Sequence, residues 1–62
     1  MKSHIYVTPL GKRYELLIFT AHISSIIATK VDGIEHTIIT MNNGDNFTVT
    51  DPYEKVENKL EL

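Results

Sequence analysis

Cysteine is absent from this 62-residue chain. That excludes disulfide support and any thiolate metal site. No apolar stretch approaches the roughly 20 residues that a membrane helix needs. The opening MKSHIYVTPL has one lysine and no apolar core, so it does not read as a signal peptide. These absences lead to the expectation of a cytoplasmic protein in a reducing setting, with no membrane contact. The three histidines, His4, His22 and His36, stand far apart and lack the spacing of a metal site. No metal and no cofactor are expected.

Length limits the fold to one small domain, residues 1–62. A domain of this size buries only ~60% of the surface that its unfolded chain exposes. Without disulfide or metal, the remaining support for so small a core is association between copies. Basic residues are also few. Lys2, Lys12, Arg13 and Lys30 face Glu15 in residues 1–31, whereas residues 32–62 hold seven acids against Lys55 and Lys59. The basic set is too sparse for the clustered stripe of a nucleic-acid footprint.

Only three glycines are present, and two of them follow an acid or its amide: Asp32-Gly33 and Asn43-Gly44. Asx-Gly tolerates positive φ at both central positions of a turn and is the strongest short-range sign of a two-residue hairpin. The two turns lie about a strand length apart in a threonine-rich apolar run. They predict a three-stranded meander: Ile23–Val31, Ile34–Met41 and Asn46–Thr50. In it Ile23 and Ile27 share one face and Ile26 and Ala28 the other. Ile39 pairs with Met41 on one side of its strand, and Phe47 and Val49 point inward while Thr48 and Thr50 point outward.

Upstream, His4–Thr8 alternates, with Ile5 and Val7 on one face. Pro9 ends or bends that strand, and Leu10-Gly11-Lys12 reverses the chain. Arg13–Thr20 then reads as a second strand whose centre, Leu16-Leu17-Ile18-Phe19, is apolar on both faces. Either the fold covers both faces, or one face meets another subunit. Ala21-His22 is a short break. After the meander, Asp51 reads as an N-cap, Pro52 as the first helical residue and Glu54 as the third, with capping-box spacing. Tyr53, Val56 and Leu60 then form one apolar stripe. The expected class is α+β: a small antiparallel sheet, or partly open barrel, of about five strands with one C-terminal helix.

No residue set specifies a reaction. Asp51 and Glu54 are explained by capping and Glu57 by a solvated helix face; catalysis needs a base or nucleophile held by a second group in a pocket. His22 beside Thr20 and Ser24 reads as a loop-edge histidine rather than a nucleophile pair. Asn42-Asn43-Gly44-Asp45 lacks the 12-residue spacing of a calcium loop. Lys12, Arg13 and Tyr14 are the candidate ligand-binding set, two cations for a phosphate and a ring to stack on a base. Leu16, Leu17, Ile18 and Phe19 are the candidate contact with a second copy or a partner.

Several of these stretches resemble the short FlbD/SwrD-type flagellar and swarming proteins, and related small proteins met in phages and prophages. Thr8, Leu10, Gly11, Lys12 and Tyr14 are similar to that family's opening T-x-L-x-G-K-x-[FY] stretch, one residue shorter before Gly11. His22–Ile26 resembles its I-x-x-I strand start, Ile38–Val49 its I-x-L-x-N-G-x-x-[FY]-x-V hairpin, and Asp51–Leu60 its closing helix. The resemblance implies a non-enzymatic, flagellar-accessory or phage-encoded module that works by protein contacts. The partner protein is not specified by any residue. The alternative is an oligomeric phage protein that sequesters a nucleotide signal, with Lys12, Arg13 and Tyr14 at the seam.

Overall fold

A computed structural model describes residues 2–61; Met1 and Leu62, the two ends of the expected domain, lie outside the described residues. The elements run β1 (His4–Val7), β2 (Leu16–Phe19), a 3-10 turn (Thr20–His22), β3 (Ile23–Val31), β4 (Ile34–Met41), β5 (Asn46–Val49) and α1 (Tyr53–Leu60). The class is α+β, as expected. The five strands form two antiparallel sheets, β1-β2 and β3-β4-β5, and do not close into a barrel. A short seam links them. Pro9 bridges to Val49, the Leu10 N–H donates to the Thr48 carbonyl at 2.9 Å, and the Thr50 N–H donates to the Thr8 carbonyl at 2.8 Å.

That seam explains why the second strand is shorter than the expected Arg13–Thr20. Past Val7 the chain leaves β2 and turns its backbone to β5, so nothing remains opposite Lys12 to Glu15 for pairing. Gly11, at φ +79°, takes the left-handed position of the turn closed by the Lys12 N–H on the Pro9 carbonyl.

The core consists of Ile5 and Val7 from β1, Ile18 from β2, Ile39 from β4, Val49 from β5, and Val56 and Leu60 from α1. Each is a large aliphatic side chain, and burying one contributes about 1.5–3 kcal/mol. Leu16, Ile23, Ile26, Met41 and Phe47 pack around them. The helix stripe expected at Tyr53, Val56 and Leu60 is the face that docks on β1, β3 and β4.

Two features of the meander differ from the sequence reading. Ile23 lies opposite Met41, yet Ser25 lies opposite Thr40, so Ser24 is an extra residue, a β-bulge. One inserted residue swaps the sides of all that follow. Ile23 therefore joins Ile26 against the core, and Ile27, expected beside Ile23, points outward and is 53% exposed. The second Asx-Gly turn is also longer than two residues. Asp32 and Gly33 both have positive φ, as a two-residue turn requires, but at the second turn only Gly44 does, at +94°. There the Gly44 N–H donates to the Met41 carbonyl and the Met41 N–H to the Asp45 carbonyl. This is a turn followed by a left-handed glycine, the three-residue hairpin loop. Asn43 favours it by accepting the Asp45 N–H on its own Oδ1 at 2.9 Å.

The helix start also departs from the capping reading. Pro52 is the N-cap, its carbonyl accepting the Val56 N–H, and no side chain of the first turn caps the helix. The Asp51 carboxylate is engaged elsewhere. Its Oδ1 accepts the Thr8 N–H at 2.9 Å, and its Oδ2 receives the Lys59 ammonium at 2.9 Å. The cap arrives from another strand, with Glu35 Oε1 accepting the Tyr53 N–H at 3.1 Å. The Asp51 carbonyl also accepts the buried Thr37 hydroxyl at 2.7 Å. Asp51 thus joins β1, β4 and α1.

Burial pushes the Asp51 carboxyl up, but the Thr8 N–H and the Lys59 ammonium outweigh it and hold the group below its ordinary value. A carboxyl depressed in the folded state stabilises above its unfolded pKa. That stability is lost as pH falls through the ordinary carboxylate range and on through the folded value. Asp51→Ala should therefore destabilise by about 2–3 kcal/mol, against about 1 for a lost cap, because it strands a half-buried N–H and an ammonium. Asp51→Asn should flatten the acid side of the stability curve in melts run from neutral pH downward. A double-mutant cycle with Lys59→Met should give a coupling of about 1 kcal/mol or more; zero coupling would return Asp51 to a simple cap. Val56→Asp, which places a charge where no side-chain surface is exposed, should exceed Asp51→Ala and abolish the thermal transition.

Candidate functional site

In the β1-β2 hairpin Ile5 lies opposite Ile18 and Val7 opposite Leu16, while Tyr6 lies opposite Leu17 and His4 opposite Phe19. Opposed residues share a face. The first set turns to the core and the second to solvent. The outer face thus carries Tyr6, Leu17 and Phe19, exposed by 51%, 41% and 56%. The His4 ring meets Tyr6 edge-on, with centroids 5.7 Å apart. The apolar run that alternation could not orient is thereby divided, with Leu16 and Ile18 inward and Leu17 and Phe19 outward.

Beside β2 a groove of about 550 Å³ opens toward the β4-β5 turn, with Leu16 and Ile18 on one wall and Met41 and Phe47 on the other. Its polar end is held by the backbone. The Asn42 N–H donates to the His22 carbonyl at 2.7 Å, and Asn42 Nδ2 to the Ala21 carbonyl at 3.3 Å. Asn43 Nδ2 bonds Asp45 Oδ2 at 3.1 Å, so these oxygens serve the turn. His22 and Asp45 also line the groove, and an open apolar groove beside an exposed apolar face excludes water by contact with another surface.

Lys12, Arg13 and Tyr14 lie in the β1-β2 connection, all exposed, and line neither this groove nor the second cleft. That cleft, about 320 Å³ between β1 and α1, holds Lys2, Tyr6, Asn58, Lys59 and Glu61. Its cations are engaged. Lys2 pairs with Glu61 at 3.9 Å, and Lys59 donates to Asp51 and, at 2.6 Å, to the Tyr6 carbonyl. Thr20 donates its hydroxyl to the Lys2 carbonyl, away from His22. Among the described residues no group of three or more His, Cys, Asp or Glu comes together to hold a metal ion.

A second apolar area escaped the sequence reading. On the outer face of the three-stranded sheet, Ile27 lies opposite Ile38 and Val31 opposite Ile34, with Ile27 and Ile34 more than half exposed. The Ser24 bulge hides it, because a regular alternation assigns Ile27 to the same side as Ile23. The adjacent Ser24-Ser25 pair is the local break in the apolar pattern between Ile23 and Ile26.

Compared with protein-family models, with curated proteins and with solved structures, the chain matches none of them.

Proposed function

We propose that this chain is a small non-enzymatic interaction module, flagellar-accessory or phage-encoded, that acts by protein contacts and associates with itself through Leu16–Phe19. The flagellar or phage setting rests on the motif resemblance alone. The contact surface rests on one observation: the outer face of the β1-β2 hairpin presents Tyr6, Leu17 and Phe19 beside an open apolar groove. Large exposed apolar patches on small proteins mark contact sites.

Magnitudes set the strength of such a contact. Covering one of these side chains completely is worth about 1.5–3 kcal/mol. Each is already near half covered, so six from two copies give roughly 4–9 kcal/mol. Association itself costs an estimated 4–15 kcal/mol. Side-chain burial alone therefore reaches about break-even, and a micromolar complex needs a further source of attraction, such as backbone hydrogen bonds.

Light scattering should give a mass that rises with concentration from the 7.1 kDa monomer toward twice that value through the micromolar range. Leu17→Glu and Phe19→Glu, at exposed positions, should keep the circular dichroism spectrum and the melt but remain monomeric. Arg13→Ala should associate like the parent. A strict monomer at every concentration, for a folded parent chain, contradicts the proposal.

A further inference from the structure

We infer that self-association, taken as proposed above, is strand addition: the β2 strands of two copies pair antiparallel about a two-fold axis at Ile18, giving a four-stranded sheet β1-β2-β2′-β1′. The inference starts from an unpaired edge. In its sheet β2 has one neighbour, β1. The Thr20 N–H donates to the Ser3 carbonyl, which continues the β1-β2 register and fixes its phase. Antiparallel ladders alternate hydrogen-bonded and non-bonded pairs. Ile18 and Leu16 are thus in phase with Thr20 and bond toward β1. The N–H and C=O groups of Leu17 and Phe19 point off the free edge. The Phe19 carbonyl already accepts the first bond of the 3-10 turn that it caps, whereas the Leu17 N–H, the Leu17 carbonyl and the Phe19 N–H have no partner elsewhere among the described residues.

The edge has one of the usual protections, a length of only four residues, and lacks the others. It contains no lysine, proline, inward charge or bulge, the devices that keep sheet edges from pairing. Among the other edge strands, β3 carries two of them, the Ser24 bulge and Lys30, β5 is joined to Thr8–Leu10, and the outer side of β1 is covered at Tyr6, whose carbonyl takes the Lys59 ammonium. The apolar groove of about 550 Å³ borders this edge.

A second copy fits this edge better than a foreign strand, because the sequence Leu16–Phe19 is its own complement. Opposed residues must share a face, so the two-fold axis passes through a residue position and not between two. An axis at Leu17 sets Glu15 against Phe19′, a carboxylate on a ring. An axis at Ile18 sets Leu17 against Phe19′ and Phe19 against Leu17′, with Glu15 beyond the pairing, across from Ala21′. The two apolar outer faces then merge, and the pairing segment itself carries no charge to repel its copy. Two half-exposed rings and one leucine per copy, at about 150–250 Å² for a whole aromatic side chain, place the contact in the small, transient class of interfaces.

The cysteine-free chain allows a direct test. The single variants Leu17→Cys and Phe19→Cys, both at exposed positions, are mixed in equal amounts and oxidised mildly after light scattering of the reduced mixture. Hydrogen-bonded antiparallel neighbours have Cα atoms about 5.5 Å apart, the separation of a disulfide. Equivalent residues would lie on the order of 8 Å apart, beyond the ~7 Å limit. The mixed disulfide dimer, one Leu17→Cys chain joined to one Phe19→Cys chain, should therefore exceed either homodimer at least tenfold by mass spectrometry. Ile34→Cys should not cross-link. Dominance of the Leu17→Cys homodimer overturns the register. A mass-doubled but uncrosslinked sample overturns strand addition while leaving self-association standing. A monomeric reduced sample overturns both.

Discussion

The fold depends on one carboxylate. Asp51 receives a backbone N–H from the end of β1 and the ammonium of Lys59 from the last turn of α1, and its carbonyl takes the hydroxyl of Thr37 in β4. Two small sheets joined only by a short seam have little else to fix their relative position. Apolar side chains supply attraction without direction, whereas these bonds specify distance and angle. The Lys59 ammonium bonds the Tyr6 carbonyl as well, so the helix that covers the core is tied to the first strand twice. The energy comes from Ile39, Val49, Val56 and their neighbours; the geometry comes from a residue that looks, in the sequence, like an ordinary cap.

That contrast marks how far the sequence could be read. Local chemistry carried the elements. Asp32-Gly33 forms the two-residue turn that both positive φ values require, and the meander follows from it. The helix stripe at Val56 and Leu60 is buried as its spacing requires. Features set by distant partners were not legible. Asp51 has the residue type and position of a cap, and only the arrival of Thr8 and Lys59 diverts it. Glu35 caps the helix from 18 residues away, and no local pattern announces that. The Ser24 bulge costs one residue of alternation and turns Ile27 outward, so an apolar face of the sheet stayed hidden.

The candidate contact was half legible for a related reason. Leu16-Leu17-Ile18-Phe19 is apolar at every position, so alternation could mark the run as unusual but could not say which members faced out. Pairing with β1 decides it, leaving Leu17 and Phe19 on the surface. The cationic set Lys12, Arg13 and Tyr14 suggests a phosphate site by composition alone. Once the chain leaves β2 to pair with β5, those residues fall in an exposed connection and line neither cleft. For so small a core, an apolar strand with an unpaired edge is both a liability and the most economical route to added burial.

Amide hydrogen exchange of Leu17 and Phe19 tests strand addition most directly. Inside one copy these two N–H groups have no acceptor, whereas that of Ile18 is bonded within the hairpin. The account predicts that Ile18 is protected at every concentration, and that Leu17 and Phe19 gain protection together as concentration rises through the association range. Exchange of Leu17 and Phe19 at unprotected rates in a sample that light scattering identifies as dimeric would contradict it.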